Sequence, residues 1–200
     1  MKAASVICAL LAVMSGSLAT AGNNPEVGVS VHVMAHASKR TCSGGLPSIR
    51  GCEDVKTGES SADADCFPVF YELSEYLGVE YGLTWPGNYT CTFTSCSDLV
   101  IGEIINPGDG IAHTWLSCQA GRVAIPGWAR IYEPAGGRVC VVPPPATGEI
   151  YVLDCDDGLD GPEETPSCAG IGGRPGDDPC GGYRPPTEEG TWGEIKTMFD

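Results

Sequence analysis

The feature that most constrains this chain is its cysteine content. The sequence has eleven cysteines, and one of them, Cys8, lies in the apolar stretch of an N-terminal export signal. Removal of that signal leaves an even set of ten, which is typical of an exported chain whose cysteines pair with one another. The sequence therefore predicts a disulfide-stapled scaffold. The disulfide candidates are Cys42, Cys52, Cys66, Cys91, Cys96, Cys118, Cys140, Cys155, Cys168 and Cys180.

The spacing of these cysteines favours structural bonds over redox or zinc chemistry. No two cysteines stand as Cys-x-x-Cys, and the short segment between Cys91 and Cys96 fits a small disulfide loop better than a redox dithiol or a zinc knuckle. Ten cysteines can pair in too many ways for a sequence to assign the connectivity. Proximity along the chain suggests Cys42 with Cys52, Cys91 with Cys96, and Cys168 with Cys180.

Residues 1–21 form the predicted export signal. Lys2 supplies a positive start, Ala3 to Met14 form a short apolar core, and Ala19-Thr20-Ala21 is a small-x-small cleavage site, so Gly22 becomes the first residue of the mature chain. A membrane-spanning helix needs about 20 apolar residues, and no segment of the sequence approaches that length. We therefore expect a secreted protein, in the periplasm, at the cell surface or outside the cell, without a transmembrane segment.

The balance of charge excludes one class of partner. The chain has 11 basic and 26 acidic side chains and a net charge of −15, and loss of Lys2 with the signal moves the net charge to −16. Phosphate backbones are bound by clustered lysines and arginines. Here the basic residues are scattered, and Lys39 and Arg40 are the one adjacent pair in the sequence. We expect no nucleic-acid partner.

Regular alternation of apolar and polar residues predicts β-strands. Between Glu26 and His36, valines occupy every second position, as in a half-buried strand. The stretch from Phe67 to Trp85 fits either a helix that ends at Gly78 or two strands, and its many aromatic residues favour two strands. Further strands are predicted at Leu99 to Ile105, Ile111 to Cys118, Arg122 to Ile125, Trp128 to Tyr132, Arg138 to Val142 and Glu149 to Asp154.

These short strands, separated by turns rich in Asn, Pro and Gly, predict the fold class. We expect an all-β protein, a disulfide-stapled antiparallel β-sandwich of eight or nine strands that spans residues 22–154. The stretch from Ser38 to Asp65 is rich in Ser, Gly and Asp and contains Cys42 and Cys52. It is predicted to be a loop that its cysteines hold in place.

The chain beyond the sandwich changes composition to Asp, Glu, Gly and Pro. Residues 155–190 are predicted to be an acidic tail that Cys155, Cys168 and Cys180 hold down. Residues 191–200 place Trp192 and later apolar residues at helical spacings, which predicts a short amphipathic docking or sorting segment.

Motifs of hydrolytic enzymes are absent from the sequence. There is no Gly-x-Ser-x-Gly elbow, no His-Glu-x-x-His zinc helix and no phosphate-binding glycine loop. His113 alternates with Ile111 and Trp115, so we expect a partly buried strand histidine rather than the base of a triad. His32 and His36 resemble a metal pair, but a strand would separate their backbones by roughly 13 Å. We expect ordinary surface histidines there.

The acidic run from Asp154 to Asp160 leaves two interpretations open. Its carboxylates surround a glycine turn, as in a calcium loop, with Asp154, Asp156, Asp157 and Asp160 as the possible ligands. The run departs from the EF-hand pattern, because Gly158 stands where the fifth ligand belongs. The other interpretation is a solvated acidic linker. No cofactor other than this calcium ion is predicted.

Two stretches of the chain resemble the strands of cohesin-type and carbohydrate-binding bacterial β-sandwiches. Val69 to Leu73 and Val79 to Pro86 are similar to the paired early strands of those proteins. Ile125 to Tyr132 and Arg138 to Val142 are similar to their later core strands. The resemblance spans Gly28 to Asp154 and implies the sandwich fold more than a function.

The end of the chain resembles the ends of uncharacterised exported proteins from environmental bacteria. The similar segments are Cys168 to Gly173, Gly176 to Cys180 and Thr191 to Lys196. This resemblance implies a location in the bacterial cell envelope or extracellular space. Two roles stay open for the segment around Trp192: a sorting or docking signal, and a tail that caps a sheet edge or an apolar patch.

Together these features predict a non-enzymatic exported binding or structural module of the bacterial cell envelope or extracellular space. Its partner would be a protein, a glycan or another copy of itself. Trp85, Trp115 and Trp128 are candidates for stacking on sugar rings, although large aromatic residues in alternating strands commonly face the core.

The alternative function is a secreted glycoside hydrolase. Two carboxyl groups within about 10 Å of each other can cleave a glycosidic bond when one of them has a raised pKa. The candidate carboxylates are Glu72, Glu75, Glu80, Glu103 and Asp109. A calcium-stabilised surface-layer or filament component is a third possibility.

Overall fold

Two antiparallel β-sheets packed face to face form the fold. The computed structural model describes residues 22–87, 91–162 and 164–180, and it contains no α-helix among them. The predicted export signal and the predicted segment around Trp192 lie outside these residues. The predicted all-β class is confirmed, as a sandwich. The strands are β1 (Gly28–Ala35), β2 (Asp63–Tyr71), β3 (Glu75–Thr84), β4 (Thr92–Ser95), β5 (Leu99–Gly102), β6 (Gly110–Ala120), β7 (Val123–Ala124), β8 (Gly127–Tyr132), β9 (Gly137–Val142), β10 (Tyr151–Leu153), β11 (Leu159–Asp160) and β12 (Ala169–Ile171).

The first sheet has the strand order β1-β2-β8-β4, and β7 also pairs with β2. Its register aligns Val33, Cys66, Ala129 and Phe93 in one row across the four strands. Because successive side chains of a strand point to opposite faces, this row and its alternate neighbours face the second sheet. The other set of side chains, which includes Phe67, points to the opposite, outer face of the first sheet.

The second sheet has the strand order β11-β10-β3-β6-β5. Strand β9 pairs with the C-terminal part of β3, and β12 pairs with β9. The inward row of this sheet contains His113, Val79 and Val152, which lie opposite one another on β6, β3 and β10. The next row along each strand therefore faces away from the core.

The main core lies between the two sheets. Phe70 of the first sheet and Tyr81 of the second are fully buried, and their ring centroids are 5.5 Å apart. Burial of such aromatic side chains removes a large apolar area from water and stabilises the sandwich. Ala169 and Ile171 of β12 are also fully buried in this core. The predicted tail thus contributes β11 and β12 to the second sheet.

The outer face of the first sheet is covered by the chain between residues 36 and 62. Val55 of this segment is buried against Phe67, Val69 and Trp128 of the sheet, which form a second apolar cluster. The loop that was predicted from Ser38 to Asp65 therefore covers a second, smaller core. We call residues 36–62 the covering segment.

A buried ionic network fastens the covering segment to the first sheet. The Asp65 carboxylate is fully buried and accepts hydrogen bonds from Arg40 Nε, at 2.8 Å, and from the Ala37 backbone N–H, at 3.2 Å. His36 Nδ1 lies 2.8 Å from the same carboxylate. The Arg40 guanidinium also lies 5.0 Å from the centroid of the Phe67 ring, as in a cation–π contact. Charge pairing compensates the desolvation of Asp65.

The predicted strands agree with the structure throughout the sandwich. Two strands, β2 and β3, occupy the stretch that also fitted a helix, and Gly78 lies inside β3 rather than at a helix end. Three strands were missed: β4, β11 and β12. Strand β4 has four residues, β11 has two and β12 has three. Strands this short are too brief to show an extended alternation of apolar and polar residues.

Four disulfide bonds connect described parts of the chain that are distant in sequence. The three pairings suggested by proximity are wrong, because the antiparallel sheet topology brings cysteines that are distant in sequence within bonding distance. Cys155, Cys168 and Cys180 are all bonded, as predicted for the region after residue 154. The bonds are Cys42–Cys96, Cys52–Cys180, Cys118–Cys155 and Cys140–Cys168.

Cys66 and Cys91 carry free thiols, which corrects the expectation that all ten cysteines pair. Both face the main core, but β8 lies between β2, which carries Cys66, and β4, which follows Cys91. Two sheet spacings of about 4.8 Å exceed the about 7 Å limit between the Cα atoms of a disulfide. Burial raises the pKa of both thiols, that of Cys91 to about 11, so both remain protonated.

Candidate functional site

His113 lies between the sheets in a small polar network. Its Nε2 is 3.2 Å from the Tyr81 hydroxyl, and its Nδ1 is 2.9 Å from Ser97 Oγ and 3.2 Å from Ser95 Oγ. The imidazole is buried, and this burial lowers the pKa of His113 to about 4. His113 is therefore neutral at physiological pH.

The hydrogen-bond partners in this network argue against His113 as a base for Ser97. The Tyr81 hydroxyl is buried and must donate its proton, and its acceptor among the described residues is His113 Nε2. The imidazole proton then lies on Nδ1 and is donated to the serine oxygens. The Ser97 hydroxyl in turn donates to the Leu99 carbonyl oxygen, at 3.2 Å. A general base needs a lone pair directed at the nucleophile, and here that position carries a proton.

His32, within β1, and His36, directly after β1, have separate hydrogen-bond partners. His32 Nδ1 accepts the Lys56 backbone N–H at 2.9 Å, and His36 Nδ1 contacts Asp65. The expectation of surface histidines is wrong for His32, which the covering segment buries; burial and the nearby Lys56 charge lower its pKa to about 4. The two Nδ1 atoms therefore contact different groups.

Two of the five carboxylates considered for glycoside hydrolysis are already held by structural partners. Glu72 forms an ion pair with Arg122. Asp109 accepts the backbone N–H groups of residues 105 and 106, and these hydrogen bonds lower its pKa, whereas a general acid needs a raised pKa. No hydrogen bond joins any two of the five candidate carboxylates within the part of the chain that the structure describes. The positions of the remaining three are Glu75 at the start of β3, Glu80 within β3 and Glu103 after β5.

The acidic loop considered for calcium uses its carboxylates differently. Asp154 Oδ1 accepts the backbone N–H groups of Asp156 and Gly158, at 2.9 and 2.6 Å. Its Oδ2 and the Asp160 carboxylate accept backbone N–H groups of residues 22–24. Asp157 is exposed, with a φ of 65°. These contacts give the calcium interpretation no support, since the buried oxygens already have donors.

Two further groups of potential ligands for metal ions each contain a disulfide bond. They are Cys52, Glu53 and Cys180, and Glu75, Cys118 and Cys155. A bonded sulfur offers no thiolate to a metal ion. Neither group therefore has the donor set of a zinc or copper centre.

The tryptophans considered for sugar stacking are mostly enclosed. Trp85 is buried in the main core and Trp128 under the covering segment. Trp115 is half-buried, and its ring packs edge-on against Tyr76 with centroids 5.0 Å apart. Trp85 and Trp128 are therefore too enclosed to stack on a sugar ring, and Trp115 is enclosed in part.

The outer face of the second sheet, in contrast, is apolar and open. The register forms one row of residues across strands β5, β6, β3, β10 and β11. In that order, the row consists of Leu99, Thr114, Gly78, Leu153 and Leu159. The adjacent row contains Ile101, Ala112, Glu80 and Tyr151. We call these nine residues the open face. Leu99 and Ile101 are 52% and 54% exposed, which is high for large aliphatic side chains in a sheet.

A groove of about 490 Å³ lies in the middle of the open face. Its floor includes Gly78, which has no side chain, and Ala112, whose side chain is small. Tyr151, Leu153 and Leu159 line one side of it. A partner could therefore place apolar side chains between β6 and β10.

The charges around the open face have one sign. The strands β3, β5, β6, β10 and β11 contain no Lys or Arg. Glu80 lies within the face, and Asp98 and Glu103 lie at the two ends of β5, both exposed. The chain as a whole has a net charge of −15. A positively charged partner would therefore be attracted to this surface.

Sequence reasoning missed the open face although part of its signal was present. Leu99, Val100 and Ile101 are consecutive apolar residues, which indicates apolar side chains on both faces of β5. Which of the two faces lacks a cover depends on the arrangement of the sheets and is not encoded in the strand itself.

Comparisons of this chain with protein-family models, with curated proteins and with solved structures find no match. The similarity to cohesin-type and carbohydrate-binding sandwiches thus stays a prediction. Among the described residues, no helix has the length and apolar character needed to cross a membrane. The four disulfide bonds indicate an oxidising, extracytoplasmic compartment.

Proposed function

We propose that this protein is a non-enzymatic exported binding module whose partner docks on the open face of the second sheet. The observation that carries the proposal is the mainly apolar surface formed by two adjacent rows of that sheet, with Leu99 and Ile101 more than half exposed. Burial of apolar surface is the main driving force of association, about 25 cal/mol per Å² before the costs of binding are subtracted.

The charge around the open face indicates the chemistry of the partner. Asp98 and Glu103 flank β5, and Glu80 lies inside the face. Two copies of this chain would bring like charges together, which opposes self-association. A protein segment with apolar side chains flanked by Lys or Arg matches both the apolar rows and their acidic surroundings. We therefore propose a cationic, apolar protein segment as the occupant.

Sugar binding and glycoside hydrolysis fit the described residues less well. Tyr151 is the one aromatic residue of the open face, whereas glycan sites rely on stacked aromatic rings. Two of the five carboxylates proposed for hydrolysis already have structural partners: Glu72 in an ion pair and Asp109 in loop hydrogen bonds. A non-enzymatic role is therefore the better-supported proposal.

A short synthetic peptide tests the proposed partner chemistry. The probe has leucines at alternate central positions and lysines at both ends; one comparison peptide has glutamates in place of the lysines, and another has serines in place of the leucines. Titration into isotope-labelled protein, followed by NMR, should shift the amide signals of β3, β5 and β6 with the first peptide. Each comparison peptide should bind at least about tenfold more weakly.

Matched variants locate the binding surface. Ile101→Asp places a charge in the open face, and Tyr132→Asp places the same charge on the other sheet at a residue of similar exposure, 57% against 54%. Binding of the leucine-lysine peptide should be lost with Ile101→Asp and kept with Tyr132→Asp. Equal binding by both variants, or equal binding of the serine peptide, would contradict the proposal. Dimerisation that Ile101→Asp abolishes would instead identify a second copy as the occupant.

A further inference from the structure

The first described residues of the chain are anchored on two buried carboxylates. The Gly22 nitrogen donates to Asp160 Oδ1 at 2.9 Å, and the Asn24 N–H donates to Asp160 Oδ2 at 2.7 Å. Between them, the Asn23 N–H donates to Asp154 Oδ2 at 2.9 Å. Asp154 and Asp160 are only 1% and 9% exposed. Three consecutive backbone nitrogens thus point into one acidic pocket.

Close packing fixes the identity and position of the first of these residues. A Cβ on Gly22 would lie 2.2 Å from Asp160 Oδ2, so any larger residue at this position would displace the Asp160 carboxylate. A Cβ on Gly158 would lie 2.6 Å from the Gly22 Cα. The backbone at Gly22 therefore fits against Asp160 and Gly158 because both positions lack a side chain.

The pocket contains negative charge without a cationic side chain. Asp156 and Glu75 also face this segment, since both accept hydrogen bonds from Asn23 Nδ2, at 3.2 and 3.3 Å. None of the ion pairs among the described residues involves Asp154, Asp160 or these two carboxylates. Buried carboxylates are normally paired with a positive charge, so this pocket lacks one.

The predicted export signal ends at this position. The small-x-small sequence Ala19-Thr20-Ala21 places the cleavage between Ala21 and Gly22. This pattern depends on the sequence alone and is independent of the contacts of Gly22. Both observations select the same nitrogen atom.

We propose that removal of the export signal creates an α-ammonium group at Gly22 that forms an ion pair with buried Asp160, and that this pair completes the folded state of the exported protein. A leader peptidase hydrolyses the Ala21–Gly22 peptide bond with one water molecule. The Ala21 carbonyl carbon gains the water oxygen and leaves as a carboxylate on the leader, and the Gly22 nitrogen takes up both protons of the water and becomes an ammonium. The uncleaved chain has a neutral amide at that position and lacks the pair.

Protection of the α-amino group provides the test. The full-length chain is exported, the intact mass of the product is measured, and its α-amine is labelled with an amine-reactive ester in native and in unfolding conditions. We expect a mass that starts at Gly22 and labelling at least about tenfold slower in the native state. Asp160→Asn should remove this protection, whereas Asp157→Asn, which changes the same charge on the exposed tip of the same loop, should keep it. A product that starts elsewhere, or a protected amine in Asp160→Asn, would overturn the proposal.

A second variant covers the case in which Asp160→Asn does not fold. Insertion of one alanine between Ala21 and Gly22 leaves Asp160 intact and lets the mature chain begin with the added residue. The Gly22 nitrogen then keeps its hydrogen bond as an ordinary amide and loses its charge. If the hydrogen bond alone mattered, melting temperature would not change. We expect a lower melting temperature and an unprotected α-amine, and an unchanged melting temperature would refute the ion pair.

Discussion

The outer faces of the two sheets have similar apolar character and different surroundings. The outer face of the first sheet carries Phe67, Val69 and Trp128, and the covering segment buries all three. The outer face of the second sheet carries Leu99 and Ile101, and nothing among the described residues covers them. Where the chain supplies its own cover, it also supplies buried charges and disulfide bonds that fix the cover in place. Where it does not, the exposed apolar surface is available to another molecule.

The largest expected loss of stability comes from a substitution that disrupts the covered outer face of the first sheet. Asp65→Ala leaves buried Arg40 without its partner and should lower the free energy of unfolding by about 3 to 5 kcal/mol. Asp63→Ala on the same strand removes an exposed ion pair with Arg130 and should cost less than about 1 kcal/mol. Urea denaturation of the two variants measures the difference. Similar losses in both would show that the Asp65 network does not hold the covering segment.

The next effect concerns the disulfide bond that ties the covering segment to the end of β4. The Cys42–Cys96 bond joins residues 54 positions apart. Replacement of both cysteines by serine should cost about 4 kcal/mol, because the unfolded chain regains the freedom of a long loop. The covering segment should also loosen and admit a hydrophobic dye to the Phe67 cluster. Replacement of Cys118 and Cys155, which lie away from this segment, should destabilise without that increase in dye binding.

The pH dependence of stability tests the buried histidines. Burial lowers the pKa of His113 from 6.5 to about 4, so the unfolded chain binds its proton first. The contribution of neutral His113 is fully present above pH 6.5 and is lost as the pH falls from 6.5 towards 4, about 3 kcal/mol in all. His32 acts in the same direction. Urea denaturation at several pH values measures this slope.

The protonation state of His113 can be observed directly by NMR. We expect an imidazole with its proton on Nδ1 that does not titrate until the pH approaches 4, because Tyr81 donates to Nε2 inside the core. Titration near pH 6.5 would show that the histidine is accessible to solvent. A proton on Nε2 would leave a lone pair on Nδ1 directed at Ser97 Oγ and would contradict this assignment.

Local sequence signals predicted much of the fold, and tertiary arrangement decided the rest. The valine alternation of β1 and the aromatic stretch of β2 and β3 were sufficient to predict these three strands. A strand with one buried face shows the alternation of apolar and polar residues along its own length. Strand β12 could not be found in this way, since Ala169–Ile171 is short and gains its burial from β9. The pairing of Cys52 with Cys180 depends on the path of the entire chain between them.

The candidate site was less predictable than the fold. The tryptophans singled out for ligand binding lie mainly in the two cores, because a large apolar ring gains most from burial. The open face consists of common aliphatic residues, and Leu99 looks in sequence like any core residue. Its exposure follows from the absence of a covering segment among the described residues on that side, which no local pattern reports.

The smallest expected effect on stability separates the open face from the covered one. Ile101→Asp should change the free energy of unfolding by less than about 0.5 kcal/mol, because the side chain is already exposed and lies on an edge strand. Val69→Asp, in the covered face, should unfold the protein or cost more than about 4 kcal/mol, since it buries an unpaired charge. Thermal denaturation of both variants gives the comparison. If Ile101→Asp were as damaging as Val69→Asp, part of the chain outside the described residues would cover β5, and the open face would belong to the core.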